Sequence, residues 1–176
     1  MKKLLFLLVW WLGGCAVAPP AGVTPITGFE LNRYLGPWYE IARLDHSFER
    51  GLSNVSATYG RREDGGVQVM NRGYDDRQGI WKEAEGRAYF LGEPTVGSLK
   101  VSFFGPFYGG YHLIALDQDQ YAWAMISGPS RDYLWILART RQLPLAVLEQ
   151  LLQQARALGF ATEELIWVKQ DRDFSR

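Results

Sequence analysis

Residues 66–91 read GVQVMNRGYDDRQGIWKEAEGRAYFL. Two half-alternating runs, Gly66 to Tyr74 and Gly79 to Leu91, flank Asp75-Asp76-Arg77-Gln78-Gly79, which is the turn chemistry of a β-hairpin. The same pattern extends outward in both directions. Trp38 to Phe48 and Val55 to Arg61 precede the hairpin, and Ser98 to Phe103, Tyr111 to Leu116, Tyr121 to Ile126 and Tyr133 to Thr140 follow it. Between them lie Glu63-Asp64-Gly65-Gly66, Asp117-Gln118-Asp119-Gln120 and Gly128-Pro129-Ser130-Arg131, and Gly105-Pro106-Phe107-Tyr108-Gly109-Gly110 also reads as turn chemistry. Eight short strands with short connections predict an all-β, antiparallel up-and-down meander. Closing it into a barrel removes the exposed edges.

One stretch changes period. From Pro144 through Leu145, Leu148, Leu151, Leu152, Ala155 and Leu158 apolar residues recur at three and four, with Glu149, Gln150, Gln153, Gln154 and Arg156 between them. This predicts a C-terminal amphipathic helix on the outer barrel wall, capped by Gly159 and followed by a short strand near Leu165 to Lys169. Inside an eight-stranded barrel, side chains either fill the space or leave room for one small ligand. Leu99, Val101 and Phe103, or Ala84, Ala88 and Phe90, supply one apolar parity, and the small Ala84 and Gly86 suggest unfilled volume. Composition leaves a filled core and a pocket equally open.

The N-terminus sets the address. Met1, Lys2 and Lys3 precede an uncharged apolar run from Leu4 to Leu12, too short for the roughly 20 residues that span a bilayer. Leu12-Gly13-Gly14-Cys15 resembles the lipobox of bacterial lipoproteins, in which the cysteine is acylated and the chain cut before it. Ala16 in place of an aspartate directs such a protein to the outer membrane. The expected organisation is a leader over 1–14, an acylated Cys15 with a flexible Pro/Gly/Ala-rich tether over 15–27, and one domain over 28–176. Cys15 is the only cysteine, so no intrachain disulfide supports the fold. The chain balances 19 basic against 19 acidic residues. Once Lys2 and Lys3 leave with the leader the body is slightly acidic, with no basic surplus to hold nucleic acid.

Chemistry is sparse. His46 and His112 are the only histidines, and no metal, hydrolase, P-loop or dinucleotide fingerprint occurs, so no cofactor is expected. His46, beside Asp45 near the end of the first strand, reads as a surface residue. His112 and Glu40 are candidate polar residues in the cavity or at its mouth.

Asn32 to Arg43 (NRYLGPWYEIAR), then Asp132-Tyr133, then Arg139, follow one another in order. With Asp45 to Gly51, Asn71 to Tyr74, Lys100 to Tyr111 and Asp132 to Leu137, they resemble the lipocalin family, and within it the bacterial outer-membrane lipoproteins, over essentially the whole chain. The resemblance implies an eight-stranded calyx with a C-terminal helix. In it Trp38 closes the narrow end beneath Arg139, Asp132 and Tyr133 fix a loop, and no catalytic step occurs. It implies further a fatty acid or lysophospholipid as ligand, stored or moved for envelope maintenance under stress, a lipid anchor on the periplasmic side of the outer membrane, and a homodimer. The cavity lining expected here is Phe90, Val101, Phe103, Leu113, Trp123, Trp135 and Leu137. Two other readings make different demands: an enzyme needs Glu40, His112 and Tyr59 around one volume, and a surface adaptor needs a cavity too small for an acyl chain.

Overall fold

The computed structural model describes residues 17–173, so the leader 1–14 and Cys15 lie outside the described residues. In chain order the elements are α1 (Leu31–Tyr34), β1 (Gly36–Arg43), β2 (Leu52–Arg61), β3 (Val67–Asp75), β4 (Ile80–Phe90), β5 (Ser98–Phe104), β6 (Phe107–Leu116), β7 (Trp123–Ser127), β8 (Leu134–Ala138), α2 (Leu145–Ala157) and β9 (Ile166–Trp167). Each strand from β2 to β7 pairs antiparallel with the next, and β1 pairs with both β8 and β2, closing an eight-stranded barrel. Past Tyr39 the edge of β1 that β2 leaves is taken by β9, through Ala42 opposite Trp167 and Arg43 opposite Ile166. The closed eight-stranded barrel lies within 17–173, so a chain starting at Ala16 carries it whole.

Two cores result from the period of two. The inward row, with Trp38, Ala57, Tyr59, Val69, Leu113, Ile126 and Leu137, forms one cluster inside the barrel. The outward row of β7 and β8, with Met125, Leu134 and Ile136, forms another beneath Leu151 and Ala155 of α2. Gly159, at φ 83°, reverses the chain after α2, where Phe160 N–H donates to Ala155 O.

Several boundaries differ from the sequence reading. The first strand ends at Arg43 rather than Phe48, and α1 was not predicted. Strand β6 begins at Phe107, so Gly109 and Gly110 lie inside a strand. Gly110 is required there by packing: a Cβ would sit 2.5 Å from His112 Nε2 and 2.9 Å from Val17 O. Residues 17–27, read as part of a tether, are laid along the wall. Val23 is buried, Ile26 N–H donates to Leu113 O, and Gly97 N–H donates to Ile26 O. Gly86 leaves no empty space, because the Phe103 ring occupies it, 2.8 Å from where a Cβ would be.

Candidate functional site

Inside the barrel lies a cavity of about 520 Å³. Its floor rests on Trp38, which is fully buried and donates from Nε1 to Tyr34 O at 2.8 Å. The Arg139 guanidinium carbon lies 4.0 Å from the centre of the Trp38 ring, and its nitrogens donate to Arg33 O and Pro37 O at 2.8 Å and to Leu35 O at 3.0 Å. One side chain thus ties α1 to the start of β1 and covers the indole that plugs the barrel. Gly36 enters β1 at φ 94°, a conformation that other residues adopt only under strain.

Of the expected lining, Val101, Phe103, Leu113, Trp135 and Leu137 border the cavity. Phe90 lies away from its surface and packs on Phe29, with ring centres 6.1 Å apart. Trp123 belongs to the outer cluster: on β7 the inward row is Ala124 and Ile126, so Trp123 and Met125 face outward. The wall includes residues the sequence reading did not pick out, among them Val55, Ala57, Val67 and Val69. Their alternation, Val55-Ala57-Tyr59 and Val67-Val69, is visible in the sequence. Asn71 also borders the cavity, its Oδ1 buried and without a partner.

His112 is fully buried on the outer face of β6, with Nδ1 3.0 Å from Ser98 Oγ, and it does not reach the cavity. Burial lowers its imidazole pKa. Glu40 and Tyr59 border the cavity while His112 points away from it, so these three do not converge. Among the described residues no three His, Cys, Asp or Glu side chains gather into a group able to hold a metal.

Asp132 accepts from Ser130 Oγ at 2.9 Å in the β7–β8 loop. Tyr133 does more than hold that loop, because its ring borders the cavity and stacks on Trp135 at 6.0 Å. His46 is buried rather than at the surface. Its ring stacks 3.9 Å from that of Phe48, and its Nε2 lies 2.8 Å from Glu49 Oε2.

Glu40 lies on the cavity wall within a buried polar group. Arg43 donates to Glu40 Oε1 at 2.7 Å, to Glu49 O at 2.9 Å and to Leu52 O at 3.1 Å, while Trp135 Nε1 donates to Glu49 Oε2 at 3.0 Å. Burial, followed by the charge of Glu49, raises the Glu40 carboxyl well above its ordinary range, with Arg43 opposing. The native chain therefore binds a proton at Glu40 more tightly than the unfolded chain does. The resulting stability is complete below the ordinary carboxyl pKa and is lost as pH rises through the raised value. Thermal midpoints measured from about pH 4.5 upward should fall faster in the parent than in Glu40→Gln, which keeps an acceptor for Arg43 and cannot ionise. Parallel curves would show that Glu40 does not carry this proton.

The lipocalin-like domain family matches residues 29–170. The outer membrane lipoprotein Blc of Vibrio cholerae is 54% identical over 159 residues, covering 90% of this chain and 92% of that protein. The Blc of Escherichia coli K12 is 55% identical over 152 residues, covering 86% of this chain and 85% of that protein. Insecticyanin from the tobacco hornworm Manduca sexta superimposes with a TM-score of 0.68 at 22% identity, over 92% of this chain and 90% of its own, and so shares the fold. By its closed barrel, its Trp38–Arg139 plug and these matches, the chain belongs to the lipocalin family.

Proposed function

We propose that this chain carries a single-chain amphiphile, a fatty acid or a lysophospholipid, with its acyl chain inside the barrel and its head group at the mouth. The observation that carries the reading is the cavity. At roughly 30 Å³ per methylene, close to a water's share of the liquid, about 520 Å³ holds a chain of ~17 carbons. The wall around it is mostly apolar, which suits a ligand whose binding energy accrues at about 0.8 kcal/mol per buried methylene. The relatives named as outer membrane lipoproteins, together with the Leu12–Cys15 motif, support an acylated Cys15 anchored on the periplasmic side of the outer membrane. There the protein would store or move lipid for envelope maintenance under stress.

The chain from Ala16 onward, titrated with hexadecanoic acid and with a palmitoyl lysophospholipid and observed by native mass spectrometry, is expected to take up one molecule per barrel. Affinities should lie in about the micromolar range. A protein that stays empty with both would remove the carrier reading. The anchor has its own readout: the N-terminal peptide released from envelope-derived protein should begin at Cys15 and carry the mass of its acyl chains.

A further inference from the structure

Three tyrosines meet where α1, β2 and β6 converge. Tyr34 Oη lies 2.8 Å and Tyr59 Oη 2.7 Å from Tyr111 Oη, and all three side chains border the cavity. The remaining pair, Tyr34 and Tyr59, is not joined by a hydrogen bond of normal geometry. Tyr34 and Tyr59 are 3% and 7% exposed, and Tyr34 stacks on Trp38 with ring centres 4.7 Å apart, which places the trio against the floor. Burial raises the pKa of all three phenols, so each keeps its proton at any ordinary pH.

Proton counting then decides what the floor offers. Three O–H groups supply three hydrogens, and the two well-formed contacts consume two of them. The third hydrogen has only the poorly formed Tyr34–Tyr59 approach to turn to, so an acceptor oxygen in the cavity that all three side chains border can compete for it. A buried donor without a good acceptor is costly, and a ligand oxygen placed there removes that cost. A carboxylate is excluded from this role. It would bring a full charge into an apolar volume with one spare donor, and the nearby Arg139 is spent on the far face of Trp38 on main-chain carbonyls.

We propose that the trio of Tyr34, Tyr59 and Tyr111 is a subsite for a neutral acceptor oxygen at the buried end of the ligand, so that the cavity favours acyl chains hydroxylated or oxidised to a ketone near their ω end. This rests on the carrier reading above. The chain enters tail first, the spare O–H donates to the ω oxygen, and the head group stays at the mouth.

The test uses the chain from Ala16 onward and two matched probes, hexadecanoic acid and 16-hydroxyhexadecanoic acid, each competed against a fluorescent polyene fatty acid. The variant is Y34F/Y59F/Y111F, which removes all the hydroxyls together, keeps the ring shapes and leaves no partner stranded. Hexadecanoic acid should still bind the variant, which also shows that the variant folds. The affinity ratio of the hydroxy acid to the plain acid should fall about fivefold in the variant. An unchanged ratio with both probes still bound would overturn the subsite and leave the carrier reading standing; no binding of either probe to the parent would overturn both. A second measurement needs no variant. Bound to the parent, 15-oxohexadecanoic acid should show its ketone stretch shifted below its frequency in hexane, and a hexane-like frequency would overturn the subsite.

Discussion

Trp38→Ala is expected to lower stability by about 4 kcal/mol, and so the thermal midpoint by on the order of 10 °C. The indole is fully buried, stacks on Tyr34 and donates to Tyr34 O, so truncation leaves a cavity at the barrel floor and a buried carbonyl without its donor. Arg139→Met acts on the same plug from outside. It removes the cation from the indole face and the donors from Arg33 O, Leu35 O and Pro37 O, for a cost of about 2–3 kcal/mol. The two losses should not add, because each variant removes the contact between them, and a double-mutant cycle by thermal or denaturant unfolding measures the shortfall. Both residues lie beneath the floor and neither borders the cavity, so acyl-chain selectivity should change far less than stability. Comparable changes in midpoint and in ligand spectrum would contradict a purely structural plug.

Strand existence was legible because glycine and aspartate punctuate the chain at nearly every hairpin, and the helix was legible because its apolar residues shift to a period of three and four. Strand ends were not. The first strand stops at Arg43, and the turn that follows is held by its guanidinium on the carbonyls of Glu49 and Leu52, a contact that alternation cannot reveal. Inward parity failed where both faces are dry. On β7 the outward Trp123 and Met125 are as apolar as the inward Ala124 and Ile126, because α2 covers the outside. His112 was misplaced for a related reason: residues 17–27 lie across the outer face of β6, and an uncharged Pro/Ala/Gly segment has the same composition whether solvated or docked. The tyrosine trio was hidden more deeply. It needs α1, whose four residues are too few to show a period, to bring Tyr34 to residues 25 and 77 positions away.

Adjacent glycines on β6 allow the pocket to be separated from the packing around it. Gly109 borders the cavity opposite Val101, and a Cβ placed on it meets nothing within 4 Å. Gly109→Trp should therefore fold with a midpoint near that of the parent, since a large strand former replaces a glycine in open space. Its indole would occupy room for ~6 methylenes, and at about 0.8 kcal/mol each, with part of the chain relocating toward the mouth, the affinity for hexadecanoic acid should fall on the order of a hundredfold. Decanoic acid should lose much less, moving the optimum to shorter chains. Gly110→Trp should do the reverse, because its Cβ would be driven onto His112 Nε2 at 2.5 Å and Val17 O at 2.9 Å on the outer face. That variant should lose stability while whatever folds keeps the parent's chain-length preference. If Gly109→Trp left hexadecanoic acid binding intact, the acyl chain would have to lie somewhere other than this cavity, whatever the barrel's shape suggests. Opposite outcomes at neighbouring positions would locate the ligand on the inner face of β6 without a bound structure, because alternation along a strand sends consecutive side chains to opposite sides of the wall.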